Sequence, residues 1–107
     1  MEWSIQNGAL WLSVKGEFDL SQCPALREKA MEQIEENGIN RIVFDCSGTT
    51  FIDSSGLGLM LTLYKKTAPL GGGIFVKNVS PLLMPFFVMA GLDQILEIER
   101  SEGNRHE

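Results

Sequence analysis

Two runs of alternating hydrophobic and polar residues lie at the start of the chain, on either side of Asn7-Gly8. An Asn-Gly pair between such runs is typical of a β-hairpin, because both central residues of its tight turn need positive φ. The hydrophobic positions of the two runs are Trp3, Ile5, Leu10, Leu12 and Val14. The pattern therefore predicts strands near residues 2–6 and 9–15, with Gly16 ending the second strand.

The next segment has hydrophobic residues at every fourth position, which predicts a helix over residues 22–37. Pro24 suits the first turn of this helix, and Ser21 or Cys23 is expected to cap it. Asn37-Gly38 signals the C-terminal end of the helix. The residues expected on its inner face are Leu26, Ala30 and Ile34.

A short and nearly continuous hydrophobic run over residues 41–46 predicts a strand that is buried on both faces. Residues 47–52 are expected to form a loop, and residues 57–68 a second helix. Pro69 and the three glycines at 71–73 end this helix. The segment has the strand–loop–helix arrangement that begins a parallel crossover.

The rest of the chain predicts a short strand at 74–77, a third helix and a last strand at 95–98. Ser80-Pro81 is expected to open the third helix as its cap and first-turn proline, and Gly91 to end it. Strands that alternate with helices predict an α/β fold, with a mostly parallel sheet, crossover helices and the N-terminal antiparallel hairpin. The expected order is ββαβαβαβ.

The length of 107 residues suits one domain, and we expect residues 1–100 to form it, with 101–107 as a flexible C-terminal tail. The formal net charge of −5 argues against nucleic acid or an anionic membrane surface as the partner, because either needs a basic face. The chain has no run of about 18 apolar residues, so no membrane span is expected. Its N-terminus lacks the basic and apolar regions of a signal peptide.

The two cysteines, Cys23 and Cys46, are far apart in the sequence and match no metal-ligand spacing. They are interpreted as buried thiols in a reducing compartment. The only histidine, His106, lies in the polar C-terminal segment, which argues against chemistry that needs a buried histidine. The sequence therefore predicts a cytoplasmic protein without a metal or a cofactor.

The segment Asp53-Ser54-Ser55-Gly56-Leu57-Gly58 places a carboxylate and two hydroxyls at the start of the second helix. One interpretation is a helix N-cap, in which Asp53 or Ser54 accepts hydrogen bonds from free N–H groups and contributes about 1 kcal/mol. A cap needs only one such group, however, and Gly56 and Gly58 each weaken the first turn by about 1 kcal/mol relative to Ala. Glycine is favoured where another surface must come close to the backbone. The segment is therefore a candidate binding site.

Enzymatic chemistry around this segment and the nearby aspartates has weaker support than a binding site. Ser54 has no histidine base near it and no Gly-x-Ser-x-Gly context, so it lacks the surroundings of a catalytic nucleophile. The glycines at 71–73 lack the Lys-Ser/Thr pair of a phosphate-binding loop. An acidic cluster of Asp19, Asp45 and Asp53 would bind Mg²⁺ only weakly, and turn and capping roles explain three spaced aspartates better. The residues favour a binding protein over an enzyme.

Four motifs lie where the predicted fold has its loops: Gly16-Glu17-Phe18-Asp19, Asp45-Cys46-Ser47, Phe51-Ile52-Asp53-Ser54-Ser55-Gly56-Leu57-Gly58 and Gly71-Gly72. Together they resemble the bacterial STAS-domain anti-sigma factor antagonists, in particular the sporulation and general-stress antagonists of partner-switching systems. The resemblance extends from about Ile5 to Ile98, and the Asp-Ser-Ser-Gly-Leu-Gly run is its most specific part. It implies a STAS-like fold and a regulator that works by binding.

The resemblance also implies a switch. In that family, an anti-sigma factor that is also a serine kinase phosphorylates the serine directly after the aspartate, and here that residue is Ser54. The unphosphorylated protein binds the anti-sigma factor and releases the sigma factor, and a PP2C-type phosphatase resets it. The residues expected to contact the partner are Asp19, Asp53, Ser55, Gly56, Leu57, Leu59 and Leu63.

Helical phase predicts which side of the second helix faces the sheet. At about 100° per residue, the inner face collects Leu57, Met60, Leu61, Tyr64 and Ala68. Leu59 is expected to project nearly opposite, and Leu63 to lie at the edge of the inner face. Leu59→Lys is therefore predicted to weaken partner binding and to change the melting temperature very little.

The third helix departs from the family pattern because it carries no charge. Its residues are Leu82, Leu83, Met84, Pro85, Phe86, Phe87, Val88 and Met89. Consecutive positions point about 100° apart, so at most one of Phe86 and Phe87 points squarely into the core. Pro85 is expected to bend the helix axis. The pattern predicts an exposed apolar patch for weak homodimerisation or a second partner, unless the patch is buried or covered by the hairpin or the C-terminal tail.

Two other functions stay open at this point. The first is a STAS regulator of another process, such as secretion, biofilm formation or lipid transport. The second is a small nucleotide-binding or phosphotransfer protein that uses the acidic edge of the sheet. The lack of a His or Lys base near the site argues against this function. A histidine-kinase-like ATPase gene and a sigma factor gene beside this gene would favour the anti-sigma factor antagonist.

Overall fold

A computed structural model describes residues 1–101 of the chain. Its strands and main helices, in chain order, are β1 (Glu2–Gln6), β2 (Ala9–Ser13), β3 (Gly16–Phe18), α1 (Cys23–Asn37), β4 (Arg41–Asp45), β5 (Thr49–Ile52), α2 (Ser54–Thr67), β6 (Gly73–Val79), α3 (Met84–Met89) and β7 (Glu97–Arg100). Single 3₁₀ turns, Ala68–Leu70 and Leu92–Gln94, follow α2 and α3. The tail predicted at 101–107 lies, apart from Ser101, outside the described residues.

The main sheet has five strands in the order β1-β2-β4-β6-β7. β1 pairs antiparallel with β2, and the other neighbours in this sheet pair in parallel. Asn7 and Gly8 have φ values of 52° and 79°, as the predicted hairpin turn requires. The predicted α/β fold, with a mostly parallel sheet, crossover helices and an N-terminal antiparallel hairpin, is confirmed.

Two short strands that the sequence did not predict form a second sheet. β3 and β5 pair in parallel, with Phe18 opposite Ile52. The predicted loop at 47–52 is therefore wrong for its last four residues. Gly16 begins a strand where it was expected to end one, and its φ of 78° redirects the chain from β2 into β3. The small sheet brings the end of β3 beside the start of α2, where the Asp53 N–H donates to the Phe18 carbonyl oxygen at 3.4 Å.

The hydrophobic core joins side chains of β2, β4 and β6 to those of α1 and α2. In β4, Ile42, Val43 and Phe44 are at most 3 % exposed, which confirms the predicted burial on both faces. The buried residues of α1 are Cys23, Leu26, Ala30 and Gln33. Ile34, which was expected inside, is only partly buried. Gly38 ends α1 in the left-handed conformation, as predicted.

The helix α2 is rotated relative to the prediction. Its buried residues are Gly56, Leu59, Met60, Leu63 and Thr67. Leu59 is 6 % exposed, so the expectation that it projects outward is wrong, and Leu63, expected at the edge of the inner face, is 0 % exposed. The hydrophobic pattern misled because Gly56 and Thr67 share the inner face, where the Thr67 hydroxyl donates to the Leu63 carbonyl oxygen at 2.9 Å. Only partial burial is found for Leu57, Leu61 and Tyr64.

The third helix is shorter than predicted, because the residues after Ser80 form a turn before α3 begins. In this turn, the Ser80 carbonyl oxygen accepts from the Leu83 N–H at 2.9 Å and the Ser80 hydroxyl oxygen accepts from the Leu82 N–H at 3.2 Å. Pro85 then falls in the first turn of α3, where its missing N–H interrupts no hydrogen bond. The predicted bend at Pro85 is therefore wrong.

The outer side of this segment carries an exposed apolar patch, which we call the α3 patch. It consists of Leu82, Phe86, Val88 and Met89, which are 82 %, 43 %, 53 % and 82 % exposed. Phe87 is only 1 % exposed, so one phenylalanine of the pair enters the core, as predicted. Within residues 1–101, no helix combines the length and the hydrophobicity needed to cross a bilayer.

Candidate partner-binding site around Ser54

Asp53 is the N-cap of α2. Its Oδ1 accepts hydrogen bonds from the backbone N–H groups of Ser55 at 2.8 Å and of Gly56 at 3.3 Å. Ser54 is therefore not needed as a cap, although the sequence left both residues open for that role. Ser54 is the first residue of α2 and is exposed, and its hydroxyl makes no hydrogen bond with any residue in the range 1–101. The helix start thus presents a free hydroxyl to solvent.

Gly56 holds the first turn of α2 against the end of β3. A Cβ atom at Gly56 would lie 2.6 Å from the Phe18 carbonyl oxygen and 3.0 Å from the Phe18 ring. The Phe18 ring packs in turn near the Phe44 ring, with centroids 5.7 Å apart. The surface that approaches this glycine is therefore the chain's own β3, and the buried Gly56 has no side chain to offer a partner.

Asp19 follows β3 and fixes the turn into α1. Its Oδ1 accepts from the Ser21 hydroxyl at 2.6 Å and from the Ser21 N–H at 3.0 Å. These two hydrogen bonds, in that order, lower the pKa of Asp19. Its carbonyl oxygen accepts from the N–H groups of Gln22 and Cys23, both at 3.1 Å. Asp19 is thus an ionised carboxylate at the entrance to α1.

Asp19 and Asp53 both lie near enough to the Cys23 thiol for their charges to act on it. Burial raises the pKa of Cys23, and the negative charges of Asp53 and then Asp19 raise it further. Both cysteines are buried and free, as the sequence predicted. Burial raises the pKa of Cys46 to about 11, so neither thiol has the low pKa of a reactive cysteine. Two carboxylates, Asp53 and Asp19, therefore lie near Cys23, while Arg27 adds a positive charge to the groove that Ser54 lines.

Asp45 belongs to a different cluster. Its Oδ1 accepts from the Asn78 amide at 3.1 Å and from the Ser47 N–H at 3.0 Å. Burial acts to raise the pKa of Asp45, but these hydrogen bonds outweigh burial and lower the pKa overall. In the part of the chain that the structure describes, no three His, Cys, Asp or Glu side chains meet as a metal site. The acidic Mg²⁺ cluster considered from the sequence is not formed.

Two grooves flank Ser54. One, of about 460 Å³, lies between α1 and α2, and its walls include Leu20, Cys23 and Arg27. The other, of about 240 Å³, lies between α2 and the segment after α3 and is lined by Leu57, Leu61, Ala90 and Leu92. Ser54 lines both grooves, so it lies on the crest of α2 between them.

Of the expected partner-binding residues, Ser55 and Leu57 each line one of the grooves beside Ser54, and Asp53 caps the helix start before it. Asp19, Asp53, Ser55 and Leu57 are half-buried, whereas Leu59 and Leu63 are buried, with Leu59 at the wall of the groove toward α1. Sequence reasoning missed Leu20 and Arg27, which border the α1 groove. Leu20 is 71 % exposed, and a leucine directly after Asp19 in a turn segment is the signal that could have identified it. Arg27 gave no signal, because a cation on an outer helix face is common.

The comparisons with known proteins agree with this geometry. A family model described as "STAS domain" matches residues 1–104. The chain belongs to the STAS domain family. This STAS protein is 32 % identical over 93 residues to the anti-sigma-B factor antagonist of Bacillus subtilis, covering 86 % of this chain and 84 % of the relative. It is also 32 % identical over 104 residues to the anti-sigma F factor antagonist of Paenibacillus polymyxa, covering 97 % and 89 %.

Solved structures support the fold of this STAS protein. The phosphorylated form of the Bacillus cell fate determinant SpoIIAA superposes with a TM-score of 0.75 at 22 % identity, covering 95 % of this chain and 92 % of SpoIIAA. The unphosphorylated anti-sigma factor antagonist SpoIIAA gives a TM-score of 0.73 at 21 % identity, covering 94 % and 86 %. The expected STAS-like fold is therefore confirmed.

Proposed function

We propose that this protein is an anti-sigma factor antagonist whose binding is switched off by phosphorylation of Ser54. The observation that carries the proposal is the exposed Ser54 hydroxyl, free of hydrogen bonds within residues 1–101, at a helix start whose cap is supplied by Asp53. Relatives named anti-sigma factor antagonists support it. The unphosphorylated protein binds an anti-sigma factor and thereby releases a sigma factor.

A phosphate suits this position because it changes the surface while leaving the fold intact. It adds about −1.5 to −2 charges. The N-terminus of α2 tolerates that charge, since its free N–H groups and dipole favour an anion. The added charge lies directly after Asp53 in the chain, so it raises the negative charge at the start of α2. The phosphate is also bulky and carries a hydration shell, so a partner that packs closely on the unmodified Ser54 hydroxyl is excluded.

The proposed partners are an anti-sigma factor with serine kinase activity and a PP2C-type phosphatase that resets the switch. Asp19, Asp53, Ser55 and Leu57 are the proposed contacts around Ser54. The protein itself acts in the cytoplasm by binding and not by catalysis, and the free Ser54 hydroxyl has no hydrogen-bonded base within residues 1–101 to support nucleophilic chemistry.

The test uses the anti-sigma factor encoded in the same genome. We expect this kinase with ATP to add one phosphate to the wild-type protein, and peptide mapping by mass spectrometry to place it on Ser54. The Ser55→Ala variant should be labelled like wild type, and Ser54→Ala should stay unlabelled. Labelling of Ser55 alone would move the switch by one position. No labelling and no binding of the wild type would favour a STAS regulator of another process.

We further propose weak self-association through the α3 patch. The patch carries no charge, so the net charge of −5 does not act locally against contact between two copies. An apolar patch also pairs with itself across a two-fold axis without unpaired polar groups. Sedimentation should show dimers at about 1 mM protein. Met89→Glu should abolish them, and Ile5→Glu, on the edge strand β1, should not. A wild type that stays monomeric at that concentration would contradict the proposal.

A further inference from the structure

Within the described residues, no contact requires a glycine at position 58, the second glycine of α2. Apart from its own helix, no atom lies within 4 Å of the position that a Cβ would take there, and its φ is not in the left-handed region. Gly56, only two residues before it, has an evident reason in the close approach of Phe18. Gly58 is exposed, so an alanine would fit without strain.

Glycine at this position nevertheless weakens the helix. An alanine in an exposed helix interior would raise the folding equilibrium constant about fivefold. The chain therefore carries an avoidable loss of stability one helical turn after Ser54. Such a loss is typical of positions that serve binding instead of stability.

The two grooves around α2 indicate what the missing side chain leaves room for. Ser54 and Gly58 are the residues that line both grooves, the one toward α1 and the one toward α3. They are four positions apart and lie on the same line along the helix. Anything that reaches Ser54 along either groove must therefore lie close to Gly58. Because Gly58 has no Cβ, its exposed backbone forms a low point on the helix surface where the two grooves meet.

We propose that a segment of the anti-sigma factor lies across α2 at Gly58, in backbone contact with the helix, while its side chains enter the grooves on both sides. This inference rests on the proposed function and names how its partner approaches. The occupant is the protein that reaches Ser54, because Ser54 and Gly58 line the same two grooves. The walls set by Leu57, Leu61 and Leu20 suit small or apolar side chains on the crossing segment.

The test is a size series at Gly58. Gly58→Ala and Gly58→Leu should both raise the folding equilibrium constant in denaturant titrations, because both residues favour helix over glycine. Their affinity for the purified anti-sigma factor of the same genome, held with ADP and measured by calorimetry, should fall. We expect a loss of about 5- to 100-fold for Ala, as for an overpacked contact, and a larger loss for Leu.

Glu36→Ala is the control, because it places an alanine at an exposed position near the far end of α1, away from both grooves. It should keep the wild-type affinity within about twofold. If wild type and Ser54→Ala bind the anti-sigma factor and the Gly58 variants bind equally well, the inference is wrong and the proposed function stands. A clear loss of stability in Gly58→Ala would also overturn it. If wild type itself neither binds the anti-sigma factor nor is phosphorylated by it, the inference and the proposed function are both wrong.

Discussion

Ser54→Ala is expected to leave the free energy of unfolding within about 0.5 kcal/mol of the wild-type value. It is also expected to keep the protein permanently in its partner-binding state. The Ser54 hydroxyl makes no hydrogen bond in residues 1–101, and the cap belongs to Asp53, so alanine removes nothing that holds α2. The variant should bind the anti-sigma factor with wild-type affinity and stay bound in the presence of ATP. Denaturant titration and calorimetry measure the two quantities.

Phosphorylation of wild type should have the opposite effect on binding. It should lower the affinity at least about a hundredfold, since a bulky charged group buried at an interface without an opposite charge costs several kcal/mol. Ser54→Asp should fold normally and lose about tenfold, because it adds only one charge on a shorter side chain. Equal affinity of the phosphorylated and unmodified proteins would contradict a switch at this residue. A folding defect in Ser54→Ala would instead assign Ser54 a structural role.

The parts of the fold that sequence predicted well are those whose pattern is local. Asn7-Gly8 fixes its hairpin through φ alone, and Gly38 ends α1 for the same reason. The run Ile42, Val43 and Phe44 is hydrophobic throughout because both faces of β4 are covered. In each case, the residues themselves carry the physical constraint that shapes the backbone.

The second sheet could not be predicted in this way. β3 and β5 have three and four residues, which is too short for a period-two pattern to stand out from a loop. Their pairing is decided by contacts across the fold, such as the hydrogen bond from Thr49 Oγ1 to the Val14 carbonyl oxygen at 2.7 Å. The position of Phe18 beside Gly56 follows from that pairing, so the reason for the first glycine was not visible in the sequence.

The site was predicted in identity but not in orientation. The Asp53-Ser54 pair was recognised, yet only the structure assigns the cap to Asp53 and leaves the hydroxyl of Ser54 free. The outward position of Leu59 was inferred from a helical phase that placed Leu57, Met60, Leu61, Tyr64 and Ala68 on the inner face. Gly56 is inward because it has no side chain, and Thr67 because its hydroxyl bonds to its own helix. A prediction from hydrophobicity alone therefore assigned the wrong face of α2 to the core.

Leu59→Lys is expected to destabilise the protein by about 3–5 kcal/mol, the opposite of what the helical wheel suggests. Leu59 is 6 % exposed and belongs to the core cluster that also holds Met60 and Leu63. The substitution removes a buried leucine, and it also places an ammonium group beside the apolar side chains of the core cluster. A denaturant titration measures the change, with circular dichroism as the probe of folding.

Leu82→Lys is the matched control, because it makes the same substitution at a leucine that is 82 % exposed. It should change the free energy of unfolding by less than about 0.5 kcal/mol. Any loss of anti-sigma factor binding in Leu59→Lys should then follow its unfolded fraction and recover where ligand or temperature restores the fold. If Leu59→Lys keeps the wild-type melting temperature and still binds poorly, Leu59 contacts the partner directly. That result would mean that α2 turns its other face outward in solution.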